Sequence, residues 1–140
     1  WLKRNRPEIY ARAYKVLNST SFVTHRLTGK FTIDHYSAGN STPFYLPGKL
    51  GWSDELAPGV IDLNLMPELH WSTDIIGHVT KVAADATGLA AGTPVIAGTI
   101  DAAAEAVSVG VRETSTAPSA GDWLTGRAGA GGGSTAVPYR

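Results

Sequence analysis

The chain has 140 residues, of which 43% are hydrophobic, so it can bury a core and is expected to be one globular domain or part of a larger one. Its 12 basic and 12 acidic side chains cancel, and only Lys3, Arg4 and Arg6 form a basic cluster, which argues against nucleic-acid binding. The absence of cysteine excludes disulfides and thiolate chemistry. No apolar run approaches the roughly 20 residues that a membrane-spanning helix needs, so we expect a cytoplasmic protein without a membrane partner.

Two helices are predicted in the first thirty residues. The segment RPEIYARAYKVLN, residues 6–18, has Pro7 where a first helical turn tolerates proline, and its apolar residues follow a helical spacing. The next segment, STSFVTHRLTG, offers Ser19 or Ser21 as the N-cap and Gly29 as the C-terminal stop. The apolar residues of this second helix are Phe22, Val23 and Leu27.

A strand and a long irregular stretch follow. KFTIDHY, residues 30–36, alternates apolar and polar residues and predicts a short strand. Residues 37–58 are rich in Pro, Gly, Ser and Asn, so we expect irregular structure there, apart from a turn of helix at SDELA, residues 53–57. DLNLMP predicts another short helical piece, which Pro67 stops.

The second half of the chain alternates strands with helices. TDIIGHVT, residues 73–80, predicts a strand, and TKVAADATG predicts a helix that Thr80 caps and Gly88 ends. The continuous apolar run PVIAGT, residues 94–99, predicts a short buried strand, and residues 101–110 predict a helix. This alternation predicts an α/β fold in layers.

Asp101 lies between the last predicted strand and the last predicted helix. In open α/β sheets, ligands bind beyond the carboxyl ends of the strands, and a carboxylate placed there can accept a proton from a substrate hydroxyl. Aspartate is also a favoured N-cap, and the positive end of the helix dipole stabilises it whatever else it does. From spacing alone the cap is favoured over catalysis, and both interpretations stay open.

The segment DHYSAGN, residues 34–40, concentrates polar side chains directly after a predicted strand. Such side chains can contact sugar or polyol hydroxyls, but loops more commonly use Asp, Ser and Asn to satisfy their own backbone. No two histidines have the spacing of metal ligands, so no metal site is predicted. TGKF, residues 28–31, lacks the upstream glycine and the following Ser or Thr of a phosphate loop, and the glycine-rich GAGGGST near the end follows no predicted strand.

Several segments resemble, in order, the FGGY family of carbohydrate kinases, which includes xylulokinase and glycerol kinase. WLKRN resembles the end of the first family signature, and RLTGKFTIDHYSAGNST is similar to a second family segment. GWSDEL, LMPELHWSTDIIGHVT and TGLAAGTPVIAGTIDAAAEAVSVGV follow in the family's order. The resemblance covers about residues 1–113, and it rests on the order of the motifs rather than on any one of them.

The resemblance implies an actin-like, ribonuclease H-like architecture of two α/β domains around a catalytic cleft. Residues 1–113 would be the later part of the N-terminal domain, and residues 114–140 an irregular or non-homologous tail. The implied reaction transfers the γ-phosphoryl of ATP, with Mg²⁺, to a sugar or polyol hydroxyl, and the full-length relatives are expected to be homo-oligomers. Because the 140-residue chain would be a fragment without the ATP-binding domain, we expect it to be inactive alone, and no cofactor-binding residue is assigned.

The resemblance also assigns roles to individual residues. Asp101 ends the family's G-x-x-D motif, which begins at Gly98, and it would be the catalytic base and a substrate contact. The substrate-contacting aromatic falls on His35 or Tyr36, depending on the alignment, and His35 is favoured. Ala102 stands where many members have Asn or Gln, so no particular sugar is implied. A non-catalytic sugar-binding or actin-like interaction module remains the alternative, and a dinucleotide-binding oxidoreductase ranks last.

Overall fold

The computed structural model describes residues 1–108, with six α-helices and six strands among them. The helices are α1 (Leu2–Asn5), α2 (Pro7–Tyr10), α3 (Ser19–Thr28), α4 (His35–Gly39), α5 (Lys81–Thr87) and α6 (Asp101–Ser108). The strands are β1 (Thr32–Asp34), β2 (Tyr45–Leu46), β3 (Gly51–Trp52), β4 (Glu68–His70), β5 (Ile75–His78) and β6 (Pro94–Ile96). Short 3₁₀ helices span Pro47–Lys49 and Leu63–Leu65. The predicted tail, residues 114–140, and the end of the predicted last helix lie outside the described residues.

The strands form three separate pairs. β1 and β4 are parallel, with Thr32 opposite Glu68 and Asp34 opposite His70, so both strands end at the same edge. β5 and β6 are antiparallel, and β2 and β3 form a short antiparallel hairpin. None of the helices within residues 1–108 is both long and apolar enough to cross a bilayer.

Local capping explains the helices that the sequence predicted well. The hydroxyl of Thr80 accepts a hydrogen bond from the Ala83 N–H at 3.2 Å, and α5 ends at Gly88 with φ +79°. α3 likewise ends at Gly29, but its N-cap is Asn18 rather than Ser19 or Ser21. A side-chain acceptor at the start and a left-handed residue at the end specify a helix from nearby residues alone.

The first predicted helix is wrong beyond Tyr10. α1 and α2 are single turns, separated by Arg6, whose φ of −138° and ψ of 60° are not helical. Further along, the backbone N–H of Val16 donates to the Leu65 carbonyl at 2.8 Å, so this stretch pairs with a distant segment instead of continuing a helix. A tertiary contact of this kind overrides the helical spacing of the apolar residues.

The core is built around the end of β1. Ile33, Ala38 and Tyr45 are buried together, with Trp52 and Leu69 packed against them. α4, the β2–β3 hairpin and β4 also pack here, and none of them was predicted. Residues 35 and 36 were expected to continue the first strand, residues 37–58 were expected to be irregular apart from a turn of helix, and residues 68–70 were assigned to no element. Each of these elements is too short to show a hydrophobic period of its own.

Several apolar residues of α3 and β6 stay exposed. Phe22 and Val23 of α3 are each 55% exposed, and the buried residues of that helix are Ser21 and Thr24. β6 was predicted as a buried strand. The strand is confirmed but its burial is wrong, since Pro94 is exposed, Val95 is half-buried and Ile96 is 49% exposed. The Thr24 hydroxyl can be buried because it donates to the Ser21 carbonyl within the helix at 3.1 Å.

Candidate functional site

Asp101 is the first residue of α6 and is exposed to solvent. Its Oδ1 accepts a hydrogen bond from the N–H of Ala102 at 2.7 Å, and no other side chain of residues 1–108 forms an ion pair or hydrogen bond with this carboxylate. The side chain therefore does not make the usual N-cap bond to an N–H two or three residues on. It presents a carboxylate at the positive end of a helix dipole, which favours negative charge there.

The loop from Ala97 to Ile100 places α6 against the rest of the fold. The N–H of Ala97 donates to the Asp74 carbonyl and the N–H of Gly98 donates to the Ser72 carbonyl, both at 3.0 Å. Gly98 has φ +74°, and a Cβ atom there would lie 3.0 Å from Cγ2 of Thr20. The turn into α6 thus requires glycine for its backbone conformation and for its close approach to α3.

Asp34 occupies the carboxyl end of β1 and is only 1% exposed. Its Oδ1 accepts four hydrogen bonds: from the N–H groups of Tyr36 and Ser37 at 3.1 Å each, from the Ser72 hydroxyl at 3.2 Å and from the Thr99 hydroxyl at 3.1 Å. The first two bonds cap α4, and the other two reach the loops after β4 and β6. One buried oxygen therefore joins the ends of three strands.

His35 begins α4 and is buried, with 9% of its surface exposed. Its Nδ1 and the Tyr45 hydroxyl share a hydrogen bond of 2.9 Å, and its ring lies 4.3 Å from that of Trp71. Burial lowers the pKa of His35, although the nearby carboxylates of Asp34 and Asp74 oppose this shift. Burial also raises the pKa of Tyr45, so the pair is neutral near pH 7.

The structure links the two parts of the predicted site, residues 35–36 and Asp101, through hydrogen bonds of Asp34. It shows no direct contact between these two parts. His35 and Tyr36 lie on α4, which Asp34 caps, and Thr99, which Asp34 also binds, precedes Asp101 by two residues. Tyr36 is half-buried. Two cavities lined by residues of α1 and α2 and of the segment 59–65 include neither Asp101 nor His35.

The described residues do not form a phosphate loop or a metal centre. The Thr-Gly-Lys triplet at residues 28–30 begins at Thr28, the last residue of α3, whereas a phosphate loop precedes a helix whose N–H groups bind the anion. Within residues 1–108, no three His, Asp or Glu side chains converge in a way that could hold a metal ion.

Residues 1–108 match the model of the N-terminal domain of the FGGY family of carbohydrate kinases. The match covers more than half of the chain. The chain belongs to the FGGY family of carbohydrate kinases.

Individual FGGY relatives cover nearly the whole chain. An L-fuculokinase of Escherichia coli K12 is 32% identical over 123 residues, which are 88% of this chain and 26% of that enzyme. A xylulose kinase of the same organism is 34% identical over 118 residues, which are 84% of this chain and 24% of the enzyme. The chain thus spans about a quarter of the length of these curated FGGY relatives.

Solved structures of sugar kinases share the fold. The xylulose kinase of Rhodospirillum rubrum superposes with a TM-score of 0.75 at 28% identity, over 81% of this chain and 23% of that one. A kinase of Brucella ovis superposes with a TM-score of 0.65 at 32% identity, over 76% of this chain and 22% of that one. These similarities confirm the predicted α/β, actin-like fold class.

Sequence reasoning named Asp34 only as one of the polar residues 34–40 that could contact a sugar, and it missed Ser72 and Thr99. Asp34 carries a local signal, since an aspartate at the end of a strand followed by a short helical run is a typical N-cap. Ser72 and Thr99 carry none, because they lie 38 and 65 residues from Asp34 in the chain. Only the pairing of β1 with β4 and the path of the loop after β6 bring them together.

Proposed function

We propose that residues 1–108 belong to the sugar-binding part of an ATP-dependent carbohydrate kinase, with Asp101 as its general base. The observation that carries this proposal is the environment of Asp101. It is an exposed carboxylate, bonded to no other side chain of residues 1–108, at the start of a helix in a segment that matches the FGGY N-terminal domain.

Asp101 would accept the proton of a substrate hydroxyl as that oxygen attacks the γ-phosphorus of ATP. A bond forms between the sugar oxygen and phosphorus, the bond from phosphorus to the bridging oxygen breaks, and ADP leaves. Catalysis of phosphoryl transfer depends mainly on positioning and on stabilising charge, and one residue orients the nucleophile. An exposed carboxylate at a helix N-terminus suits this role, because its oxygens are open to a ligand and the helix dipole favours negative charge at that end.

ATP and Mg²⁺ must bind largely outside residues 1–108. Neither a phosphate loop nor a cluster of three metal-ligating side chains occurs in this part of the chain. Mg²⁺ would neutralise charge on the transferring phosphoryl group, so an enzyme needs residues beyond these to hold it. We therefore propose that the 140-residue chain binds sugar without transferring phosphoryl groups by itself.

The substrate class that we propose is a ketose. The relatives named above are an L-fuculokinase and a xylulose kinase, and both names indicate ketose phosphorylation. His35 and Tyr36 would contact the sugar, with His35 held against Trp71 and Tyr45. Ala102, beside the proposed base, has no polar group with which to bind a second hydroxyl.

The direct test is Asp101→Asn in a full-length FGGY kinase that carries residues 1–108. Asparagine keeps the shape but cannot take the proton, so kcat should fall by roughly 10²–10⁴-fold, the usual contribution of a general base. Glu105→Gln is the matched control, because Glu105 is an exposed acid one turn further along α6. Equal activity of Asp101→Asn and the parent enzyme would disprove the assignment.

A thermal-shift titration of the 140-residue chain separates sugar binding from catalysis. A ketopentose or ketohexose that binds the folded chain should raise its melting temperature, and glycerol provides the comparison polyol. The alternative, a non-catalytic binding module, makes the same thermal-shift prediction but requires that Asp101→Asn leave phosphoryl transfer in the full-length enzyme unaffected. Phosphorylation of a ketose by the purified 140-residue chain would contradict the proposal that this chain binds sugar without transferring phosphoryl groups.

A further inference from the structure

The four hydrogen bonds of Asp34 exceed what a helix cap needs. The two from the backbone N–H groups of Tyr36 and Ser37 suffice to cap α4. The two from the hydroxyls of Ser72 and Thr99 span 38 and 65 residues of sequence. Because Asp34 is 1% exposed, water does not compete for these donors, and the four bonds act as one buried network.

Thr99 connects this network to Asp101. It stands two residues before Asp101, so their Cα atoms lie within about 7 Å of each other. Its hydroxyl donates to Asp34, and its carbonyl accepts a hydrogen bond from the Thr20 hydroxyl at 3.1 Å. Side chains from β1 and α3 therefore hold Thr99 from two directions, directly ahead of the first turn of α6.

We propose that Asp34 is a positioning residue for phosphoryl transfer: through the hydroxyl of Thr99, it fixes the loop that carries Asp101. The inference rests on the proposed role of Asp101 as general base. A misplacement of the catalytic group by about 1 Å can cost two orders of magnitude in rate. The hydrogen bond between Asp34 and Thr99 should therefore affect the rate through Asp101, whereas the capping of α4 by itself should not.

Two hydroxyl deletions separate positioning from packing, because both leave the carboxylate of Asp34 in place. In a full-length kinase that carries residues 1–108, Thr99→Val should lower kcat about 10-fold or more, with a smaller change in KM for the sugar. Ser72→Ala removes an equivalent bond from the same carboxylate but lies on the loop after β4, so its kcat should fall less. Thr99→Ser restores the hydroxyl and should recover kcat.

Equal loss of melting temperature in Thr99→Val and Ser72→Ala, with kcat unchanged in both, would overturn the proposal, since Asp34 would then serve stability alone. Failure of Thr99→Ser to recover kcat would overturn it as well, because the hydroxyl would not be the group that matters.

Amide hydrogen exchange on the 140-residue chain gives a readout that does not depend on catalysis. The N–H of Gly98 donates to the Ser72 carbonyl and the N–H of Ala104 donates to the Ile100 carbonyl, so these two amides report on both sides of Asp101. Thr99→Val should speed their exchange several-fold relative to amides of α5. Thr93→Val is the control, because the Thr93 hydroxyl donates to the Ala90 carbonyl in an exposed turn.

The exchange result also distinguishes the two proposals. If Asp101→Asn leaves kcat unchanged, the proposed function fails, and faster exchange at Gly98 and Ala104 in Thr99→Val would still establish the tether. If exchange at both amides is the same in Thr99→Val and the parent chain, the tether itself is absent and the positioning role is wrong.

Discussion

The end of β1 and the start of α6 each present an aspartate, and their surroundings are opposite. Asp34 is enclosed, and four donors from three chain segments converge on its Oδ1. Asp101 is exposed, and within residues 1–108 it bonds only to the N–H of its own neighbour. The two regions are nevertheless linked, because Thr99 binds the first aspartate and lies two residues before the second.

This comparison teaches how to separate a structural acid from a chemical one in the same fold. An acid that accepts hydrogen bonds from buried protein donors contributes to stability, because its removal leaves those donors without an acceptor. An acid whose oxygens are left open can bind a ligand or take a proton, and it contributes little to stability. Substitution of Asp34 should therefore lower stability, whereas substitution of Asp101 should leave it nearly unchanged.

The largest expected effect is on stability at the end of β1. Asp34→Ala removes an N-cap and leaves the Ser72 and Thr99 hydroxyls without their acceptor, so the free energy of unfolding should fall by about 3–5 kcal/mol. Asp101→Ala should change it by less than about 0.5 kcal/mol, as at most exposed positions. Urea denaturation of the 140-residue chain measures both.

Asp34→Asn sharpens this comparison, because it keeps an acceptor oxygen in the same place, although a neutral amide oxygen accepts more weakly than a carboxylate. It should retain most of the stability that Asp34→Ala loses. If Asp34→Ala and Asp101→Ala destabilise the chain equally, the contrast between the two acids is wrong.

The next effect concerns the turn that joins the two regions. Gly98→Ala places a Cβ at φ +74° and 3.0 Å from Cγ2 of Thr20, so unfolding free energy should fall by about 1–3 kcal/mol. Gly48→Ala is the matched control, since Gly48 has no positive φ and no atom within 4 Å of the added Cβ. A similar urea midpoint for both variants would show that the turn at residue 98 accommodates a Cβ atom without strain.

How far the sequence predicts the fold depends on whether an element is specified locally. α5 was predicted with both of its caps, Thr80 and Gly88, because a side-chain acceptor and a left-handed glycine act within a few residues. The β2–β3 hairpin and β4 were missed, since each has only two or three residues and exists through pairing with another strand. The first helix failed where Val16 pairs with Leu65 instead.

The candidate site follows the same rule. The position of Asp101 at the start of a helix after a strand could be predicted from adjacent residues. The convergence of Ser72 and Thr99 on Asp34 could not be predicted, because the two hydroxyls are 27 residues apart in the sequence and no local pattern marks them. The packing of His35 between Tyr45 and Trp71 is likewise a product of tertiary structure.

A smaller effect is expected at the hydrogen bond between His35 and Tyr45. Tyr45→Phe keeps the ring packed beside Trp52 but leaves Nδ1 of His35 without this partner, so unfolding free energy should fall by about 1–2 kcal/mol. Tyr14→Phe is the control, because Tyr14 is 73% exposed. Equal urea midpoints for the two variants would mean that water replaces the tyrosine hydroxyl.

The smallest effect is the dependence of stability on pH through His35. Burial lowers the pKa of His35 in the folded chain, while the unfolded chain keeps a value of about 6.5, so below that pH the unfolded state binds more protons. Stability should therefore decline as the pH falls below about 6.5, and the decline should end once the folded-state pKa is passed. His35→Gln should flatten this part of the curve relative to the parent chain. Urea titrations at several pH values between about 4.5 and 7.5 measure the difference between the two curves, in which the contribution of the carboxylates common to both chains cancels.

Identical slopes for the parent and His35→Gln chains would show that the imidazole titrates alike in the folded and unfolded states. That outcome would contradict the conclusion that burial keeps the His35–Tyr45 pair neutral.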